Sequence, residues 1–280
     1  TRYSLRMNTD YQVSDKVNIG VNVAPNYVVD NTPRTDGTRG TGILFNALHT
    51  WPIMPIYGED GELTSFNQLP ASTGNIYAYP NWVRSAQEIT NETKELNVLA
   101  NTYVEWKPIK GLSLKSTFNA EIGSSKYMWF NPSTATANIN VTIPTVAVSI
   151  RDIDERLSWL NENIATYTKS FGDHNFQLLG GFSTQKFRSE STRIQADTYA
   201  DDRIPTVQGA ININRGGTNS GVGEWSLTSL FSRLTYNYLG KYLFTASVRG
   251  DGSSRFGSDN RWGVFPSASV GWVLSDEGFL

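Results

Sequence analysis

Apolar and polar residues alternate along several stretches of this 280-residue chain. In the last stretch, residues 262–274, every second residue is apolar, and the residues between are mostly small or polar. A period of two places successive side chains on opposite faces of a β-strand, so one face of this strand is apolar. Such a strand fits a soluble protein core, or a membrane β-barrel with lipid on one face and water on the other.

The alternating segments come in pairs joined by short turns, which is the pattern of antiparallel β-hairpins. The first predicted hairpin joins residues 3–7 to residues 17–23 near the sequence YQVSD. Three further hairpins turn at PIKG, FGDHN and LGK, with predicted strands at residues 96–107 and 112–122, 156–170 and 176–188, and 224–238 and 242–249. The closing stretch is then the ninth strand, and the alternation is least regular at residues 159–164.

Long segments rich in Pro, Gly, Asn and Asp separate the hairpins. They cover roughly residues 30–92, 129–155, 189–223 and 250–261. In the first of them, Ile43, Leu44, Ala47 and Leu48 have helical spacing and Pro52 follows, which predicts one short helix. Because short turns and long loops alternate strictly, all long loops are expected at one end of the sheet, as in outer-membrane barrels.

Composition narrows the classes of function. Charged residues make up 18% of the chain, and 24 basic against 26 acidic residues give a formal net charge of −2. This near-balance gives no support to nucleic-acid binding, which usually needs a basic surface. The sequence contains no cysteine, which excludes disulfides, thiolate nucleophiles and cysteine-ligated metals.

Whether the chain crosses a membrane has to be judged from its strands and aromatic residues, because no apolar run approaches the roughly 18 residues of a membrane-spanning helix. The chain opens on TRYSLRMNTD, without an initial Met or a signal-peptide pattern, so a fragment or a processed piece is expected. Aromatic residues near predicted strand ends favour a membrane barrel over a soluble β-sandwich or β-solenoid. These residues are Trp106, Trp129, Tyr236, Tyr238, Tyr242, Trp262 and Trp272.

The stretch YLFTASVRGDGSSRFGSDNRWGVFPSASVGWVLSDEGFL carries a specific resemblance. Between Arg249 and Trp272 it closely resembles the DGSSRFG-containing signature of the SusC/RagA-like TonB-dependent outer-membrane transporters. The segments LFNALHTWPIMPIYGEDGEL and EWSLTSLFSRLTYNYLGKYLFTASVR are similar to the same family with moderate specificity. The resemblance covers almost the whole chain.

The resemblance implies an all-β fold in which about nine antiparallel transmembrane strands form the middle of a 22-stranded barrel. Residues 1–280 are then expected to be a partial barrel domain without the family's plug, its TonB-contacting box or its C-terminal strands. It also implies import of oligosaccharides or peptides across the outer membrane of a Gram-negative bacterium, under a SusD-like lipoprotein lid. A TonB complex would act through the missing plug, outer-membrane lipid would surround the barrel, and no cofactor is expected.

Three aromatic residues of the longest loop are candidates for substrate or lid contact. Tyr77, Tyr79 and Trp82 belong to the sequence NIYAYPNW. Aromatic faces stack on the apolar C–H surfaces of sugars, and they are also common anchors at protein interfaces. The alternative is that these rings simply pin the long loop over the barrel mouth.

The DGSSRFG loop contains a polar cluster, formed by Asp251, Arg255, Asp259 and Arg261. We interpret this cluster as a loop-structuring motif that is held by Arg–Asp pairs and by side-chain to backbone hydrogen bonds. The functional alternative is an extracellular contact surface or a calcium-like cluster of oxygen ligands.

Catalytic and metal sites are not expected. His49 and His174 are the only histidines, and neither has a second histidine at zinc spacing or a nucleophile elbow nearby. The acidic groups beside arginines are expected to be solvated ion pairs rather than glycosidase carboxylates; they are Asp152, Asp154, Glu155, Asp201 and Asp202. The chain is therefore predicted not to be an enzyme, and a secreted β-rich carbohydrate-binding module is the alternative function.

Overall fold

The structure is a computed structural model that describes residues 1–33, 35, 42–64, 66–67, 79–135 and 144–278. Its main feature is one antiparallel sheet of 11 strands. These strands are β1 (Arg2–Ser4), β2 (Met7–Ser14), β3 (Val17–Asp30), β6 (Thr90–Trp106), β7 (Leu112–Asn131), β8 (Val148–Phe171), β9 (His174–Tyr199), β10 (Ala210–Ile213), β11 (Asn219–Tyr238), β12 (Tyr242–Ser253) and β13 (Trp262–Trp272). A separate two-stranded sheet joins β4 (Phe66–Asn67) to β5 (Tyr79–Pro80).

The long strands follow one another across the sheet in sequence order. β1 and β2 both pair with β3 and are separated only by residues 5–6, so they form one line at the first edge. β10 pairs with the end of β9 that lies farthest from the hairpin turn. Nine strand positions therefore lie side by side, as the alternation predicts.

The turns that join consecutive strands are tight at one end of the sheet. Gly172 (φ +54°) opens the two-residue turn between β8 and β9, at a position that favours glycine. Leu239 (φ +53°) and Gly240 (φ +75°) lie together in the turn between β11 and β12. The first turn is Asp15–Lys16, because the predicted turn sequence YQVSD mostly continues β2.

The strands are longer than the sequence pattern predicts. β8 has 24 residues and β9 has 26, so residues 148–155 and 189–199, which the pattern assigns to loops, are strand. Residues 219–223, also assigned to a loop, open β11. The alternation disappears in these outer parts because polar residues occupy both faces there, although the backbone pairing continues.

The described residues of the first long segment contain two helices, where the pattern predicts one. The predicted helix is α1 (Ile43–His49). The second helix, α2 (Trp82–Glu88), has no apolar periodicity and begins at Asn81, whose side chain accepts hydrogen bonds from the amides of Val83 and Arg84. Short 3-10 helices occur at Val207–Gly209, Ser258–Asn260 and Leu274–Asp276. Among the described residues, no helix is long and apolar enough to cross a membrane.

The few buried apolar side chains of the described residues do not form a core beneath the sheet. Met54, Phe130, Ala135, Ala147 and Ala196 lie in or beside the long loops. In that part of the chain, every extensive contact of a long strand is with another strand of the same sheet or with the adjoining 3-10 turn. The two faces of the sheet are therefore open, and their chemistry decides what the protein can contact.

Candidate functional site: the two faces of the sheet

The strand register assigns each side chain to one of two faces, because directly opposed residues of neighbouring strands share a face. Val17 is opposite Trp106, which is opposite Leu114, which in turn is opposite Ala165. The face that contains these four residues is called the outer face, and the opposite one the inner face. The apolar phase of the predicted strands lies on the outer face, except at residues 160–164 of β8, where Asn161 and Asn163 face outward and Leu160 and Ile164 face inward.

The outer face exposes its apolar side chains. Val270 is 83% exposed, Val264 is 68% exposed and Leu230 is 57% exposed, although all three lie within strands. Exposed apolar patches larger than a few hundred Å² are rare on soluble monomers and mark a surface that meets lipid or protein. A second layer of this chain does not cover them in the described residues.

Aromatic residues border the outer face at its turn end. His174 stacks on Tyr238 with ring centroids 4.6 Å apart, and Phe176 lies 4.8 Å from Tyr236. The border on the outer face includes Trp106, Tyr167, Phe171, His174, Phe176, Tyr236, Tyr238, Tyr242 and Trp272. Such a row is typical of the aromatic girdle at the interface of a membrane barrel.

Charged residues border the outer face at the opposite end. Lys186 pairs with Glu224 at 2.6 Å, and Arg188 pairs with Glu190 at 2.6 Å. On β6 the apolar phase runs from Trp106 to Leu96 and ends at Lys94, about 12 residues from Trp106. At about 3.3 Å per residue and a tilt of about 40°, this distance corresponds to roughly 30 Å along a membrane normal, about the thickness of a bilayer core.

The inner face is polar at the same depth. The amide of Asn22 donates to Asn101 at 3.1 Å, and that of Asn101 donates to Asn119 at 2.6 Å, which links three strands. Closer to the turns, Glu105 accepts hydrogen bonds from Asn18 at 3.3 Å and Ser113 at 2.8 Å. An open groove of about 620 Å³ lies along this ladder. Its amide and carboxylate groups suit contact with water and with polar solutes, and Leu99 and Leu160 add apolar contacts to the same groove.

Arginine and aromatic side chains meet on the inner face toward the loops. Trp225 stacks on Phe187 with centroids 5.6 Å apart, and the Arg255 guanidinium lies 4.8 Å from the Trp225 centroid. Arg249 binds both carboxylate oxygens of Asp251, at 2.7 and 3.0 Å. Such cation–π contacts and charge-assisted pairs make these side chains rigid.

The four residues of the predicted loop-structuring motif do not form one cluster. Asp251 pairs with Arg249 rather than with Arg255. Asp259 accepts a hydrogen bond from the Ser258 hydroxyl at 3.2 Å, and Arg261 contributes its backbone carbonyl to the amide of Ser253 at 2.9 Å. Arg249 and Trp225 are the partners that sequence reasoning missed, because both lie on strands outside the motif loop.

Two of the three candidate aromatic residues, Tyr79 and Trp82, lie at or beside the small loop sheet. Tyr77 is outside the described residues, Tyr79 is the first residue of β5, and Trp82 is the half-buried first residue of α2. Asn81, which is 1% exposed, fixes this region because its amide group donates to the carbonyls of Ile56 at 2.8 Å and Thr64 at 2.9 Å.

Hydrogen bonds also connect the long loops with one another. Arg84 of α2 donates to the carbonyl of Thr134 at 3.2 Å, and the Thr134 hydroxyl donates to Glu88 at 2.6 Å. Asp202 accepts hydrogen bonds from the backbone amide of Ser133 at 2.7 Å and from its hydroxyl at 2.6 Å. Three loops are thus joined in one assembly at the loop end of the sheet.

Helix α1 has an inverted distribution of polar and apolar side chains. Its buried residue is Asn46, whereas Leu44 is 54% exposed and Leu48 is 75% exposed. Trp51 and Ile53, which follow the helix, are 52% and 68% exposed. A helix that buries its polar residue and presents leucines outward offers an apolar surface to something beyond the described chain.

The histidines and acidic residues do not converge on a reaction centre. His49 stacks on Phe45, and His174 belongs to the aromatic border. The carboxylate of Asp152 accepts hydrogen bonds from Nε and Nη2 of Arg193, at 2.7 Å each. Hydrogen bonds from Arg203 lower the pKa of Asp201 to about 2. In the described part of the chain, no three His, Asp or Glu residues are grouped as a metal site.

Sequence comparison finds relatives along the whole chain. It is 31% identical over 286 residues to TonB-dependent receptor P3 of Formosa agariphila, which covers 100% of this chain and 27% of that receptor. TonB-dependent receptor P26 of the same bacterium is also 31% identical, over 285 residues. The TonB-dependent receptor SusC of Bacteroides thetaiotaomicron is 38% identical over 122 residues, or 41% of this chain and 11% of SusC. No family model matches.

Structural comparison also finds this fold in known transporters. A structure of the RagAB peptide transporter superposes with a TM-score of 0.81, at 20% identity, over 99% of this chain and 30% of the transporter chain. RagAB in an open-open state superposes with a TM-score of 0.77. Three curated relatives match the whole of this chain, and the chain spans about a quarter of the length of each of them.

One sheet with an exposed apolar face, an aromatic border and a polar reverse face defines a segment of a transmembrane β-barrel. This confirms the predicted fold class over a soluble β-sandwich. The chain is related to the SusC/RagA-like TonB-dependent receptors and corresponds to part of their barrel. These relatives are receptors and transporters, not enzymes.

Proposed function

We propose that this chain forms part of the wall of a TonB-dependent transporter in the outer membrane of a Gram-negative bacterium. The outer face contacts lipid, the inner face lines a water-filled lumen, the short turns face the periplasm, and the long loops face the exterior. The observation that carries this proposal is the exposed apolar band between an aromatic and a charged border. The relation to TonB-dependent receptors over the whole chain supports it.

The proposed cargo is an oligosaccharide or a peptide, which passes along the inner wall. The Asn22–Asn101–Asn119 ladder offers amide groups that both donate and accept hydrogen bonds, as the hydroxyl groups of sugars and the backbone of peptides require. The stack of Arg255 on Trp225 adds a rigid aromatic edge nearer the exterior. Energy from a TonB complex would act through the plug of the full-length transporter.

A SusD-like lipoprotein is the proposed lid, and helix α1 is its proposed docking surface. Leu44, Leu48, Trp51 and Ile53 form the exposed apolar surface that the lid would cover. The loop assembly supports this surface, because Asn81 binds the carbonyl of Ile56, three residues after Ile53. In this proposal Trp82 supports the platform rather than binding cargo.

Cysteine labelling tests whether the outer face meets lipid and the inner face meets water. The described strands contain adjacent positions on opposite faces, Ser269 inward and Val270 outward, and residues 1–280 contain no cysteine. In a cysteine-free version of the full-length receptor in outer-membrane vesicles, Val270→Cys should react with a lipid-soluble maleimide, and Ser269→Cys with a water-soluble one. Equal reaction of both variants with the water-soluble reagent would overturn the proposal.

Co-purification tests the lid. Leu48→Ser combined with Trp51→Ser should reduce recovery of the lipoprotein with the affinity-tagged full-length receptor by at least about tenfold, because interface anchors of this size contribute about 2 kcal/mol each. Ile211→Ser is the matched control, since Ile211 is 73% exposed in β10 on a different loop. Full recovery with the double variant would remove α1 as the docking surface while leaving the wall intact.

A further inference from the structure

One arginine on the inner face has no partner among the described residues. Arg233 of β11 is opposite Leu179 of β9 and Ser247 of β12, and its side chain is exposed. It lies between the aromatic border, which contains Tyr238, and the charged border, which contains Glu224, so it is at membrane depth. Within the ranges that the structure describes, it forms no hydrogen bond and no ion pair. Ionisable side chains at this depth are costly, and they mark the path of a substrate or an ion.

A second arginine lies diagonally next to Arg233 and is held in a fixed position. Arg249 of β12 is two residues from Ser247, and such diagonal neighbours are about 7–8 Å apart. Its Nε donates to both carboxylate oxygens of Asp251, and its Nη2 donates to the hydroxyl of Ser229, which is 1% exposed. In the described part of the chain, Nη1 has no acceptor. Because Asp251 offsets the charge of Arg249, the two arginines together leave one net positive charge.

Two phenyl rings flank Arg249 on the same face. The Arg249 guanidinium lies 5.6 Å from the ring centroid of Phe231 on β11, and Phe265 of β13 is directly opposite Arg249. Phe231 lies flat over Gly181, where an added Cβ atom would be 2.4 Å from the ring. Phe265 is 59% exposed, so its ring is open to the apolar C–H surface of a ligand. An aromatic surface is thus available beside the two cations.

Two hydroxyl groups complete this surface. Ser247 is opposite Arg233 on one side and Ser267 of β13 on the other. Neither serine side chain is hydrogen-bonded to another described residue. Both hydroxyls are therefore available to donate to an oxygen atom that the guanidinium groups hold.

We propose that Arg233, Arg249, Ser247, Ser267 and Phe265, called here the arginine patch, bind a carboxylate group of the cargo. The guanidinium groups form charge-assisted hydrogen bonds with this carboxylate, and the adjoining part of the cargo packs on the phenyl ring. A carboxylate is a monoanion and matches the single net positive charge of the patch. Its source is a uronate unit of an oligosaccharide or the C-terminus of a peptide. This inference rests on the proposed function, which places the patch in a lumen that cargo crosses.

Binding of paired probes to the purified full-length receptor tests the patch. One pair is tri-galacturonate and its methyl ester, and the other is acetyl-tetra-alanine and its C-terminal amide. In at least one pair the acid should bind about tenfold more tightly than its neutral partner, because hydrogen bonds between charged groups are the stronger ones. Arg233→Gln should remove most of this preference and change the affinity for the neutral probe by less than about twofold. This variant is expected to fold, because the Arg233 side chain makes no hydrogen bond with the described residues.

Arg156→Gln is the matched control. Arg156 is also on the inner face, but it is bound to Glu121 and Asn97. Its removal should leave the preference for the acid unchanged within about twofold, because a cation that already has partners contributes little to binding an external anion. A preference in the sugar pair alone assigns the carboxylate to a uronate unit, and a preference in the peptide pair alone assigns it to a peptide C-terminus.

Three results would overturn this inference. The first is the lack of a preference for the acid in both pairs, including no binding of either acid. The second is an unchanged preference in Arg233→Gln. The third is an equal loss in Arg156→Gln, which would show that the charge of the whole lumen, not the patch, attracts the acid. The labelling of Val270→Cys and Ser269→Cys tests the wall separately, so failure of the patch is distinguished from failure of the proposed function.

Discussion

A charge placed on the outer face should destabilise the protein far more than the same charge placed one residue away on the inner face. Phe118 is on the outer face of β7, about midway between the turn end at Leu112 and the charged border at Lys126, and it is 43% exposed. Its neighbour Thr117 faces inward and is opposite Glu162 of β8. Phe118→Arg and Thr117→Arg therefore compare lipid with lumen at one depth.

The expected magnitudes follow from the surroundings of each residue. Arginine facing lipid near the midplane of a barrel costs about 2–4 kcal/mol. Loss of the Phe118 ring, whose centroid is 6.2 Å from that of Trp159, adds about 1 kcal/mol. Phe118→Arg should thus lower the free energy of unfolding by about 3–5 kcal/mol. Thr117→Arg gains an opposite charge at Glu162 and should change it by less than about 1 kcal/mol.

Equilibrium unfolding of the full-length receptor in lipid vesicles, with guanidinium as denaturant, measures these differences. Phe118→Leu is the matched control, because it removes the ring but adds no charge, and about 1 kcal/mol is expected from it. If Phe118→Arg were no more destabilising than Phe118→Leu, lipid would not cover this face. An equal cost of Thr117→Arg would show instead that the inner face is not wet.

Two further predictions concern the loop assembly. Asn81→Ala removes the cap of α2 and leaves the carbonyls of Ile56 and Thr64 without their donor. A local loss of about 2 kcal/mol should accelerate hydrogen exchange of the Val83 amide by at least about 30-fold. The exposed control Gln87→Ala should leave this exchange rate unchanged. Hydrogen bonds from the side chain and backbone of Arg203 lower the pKa of Asp201 to about 2, so the stabilisation from this pair is present above pH about 4 and is lost as the pH falls toward 2. Carboxyl NMR titration should show this pKa, and Arg203→Gln should move it upward; an unchanged titration would contradict the assignment.

The alternation predicts the number of strands because lipid and lumen impose opposite demands on the two faces only within the membrane. Beyond the bilayer both faces meet water, so the alternation fades although strand pairing continues. The predicted β8 therefore starts too late, at residue 156, and the predicted β9 ends too early, at residue 188. The irregular alternation at residues 159–164 has a different cause: within the apolar band, Asn161 and Asn163 lie on the outer face opposite Phe118 and Phe182, while Leu160 and Ile164 lie on the inner face.

The loops could be predicted only in part. The helical spacing correctly identifies α1, but its leucines are exposed rather than buried, because Asn46 faces the loop assembly. Helix α2 depends on contacts of Asn81 with residues 56 and 64, which no local pattern reveals. Likewise, Arg255 meets Trp225 only because the sheet brings a loop and a distant strand together.

The two borders of the outer face are independent evidence for a tilted membrane strand. From β6 to β9 the aromatic border moves from Trp106 to Phe176, about 4 residues below the register partner Gly180, and the charged border moves from Lys94 to Lys186, about 6 residues below the register partner Thr192. Three strand spacings are about 14 Å, and 4–6 residues are about 13–20 Å. Between β6 and β9 this slope corresponds to a strand tilt of about 43–55°, near the 35–45° of membrane barrels. From β9 to β13 the aromatic border instead follows one register row, His174–Tyr238–Tyr242–Trp272. A water-soluble sheet has no reason to carry an aromatic and a charged border about one bilayer thickness apart on its apolar face, so the separation of the borders argues that lipid selected these residues.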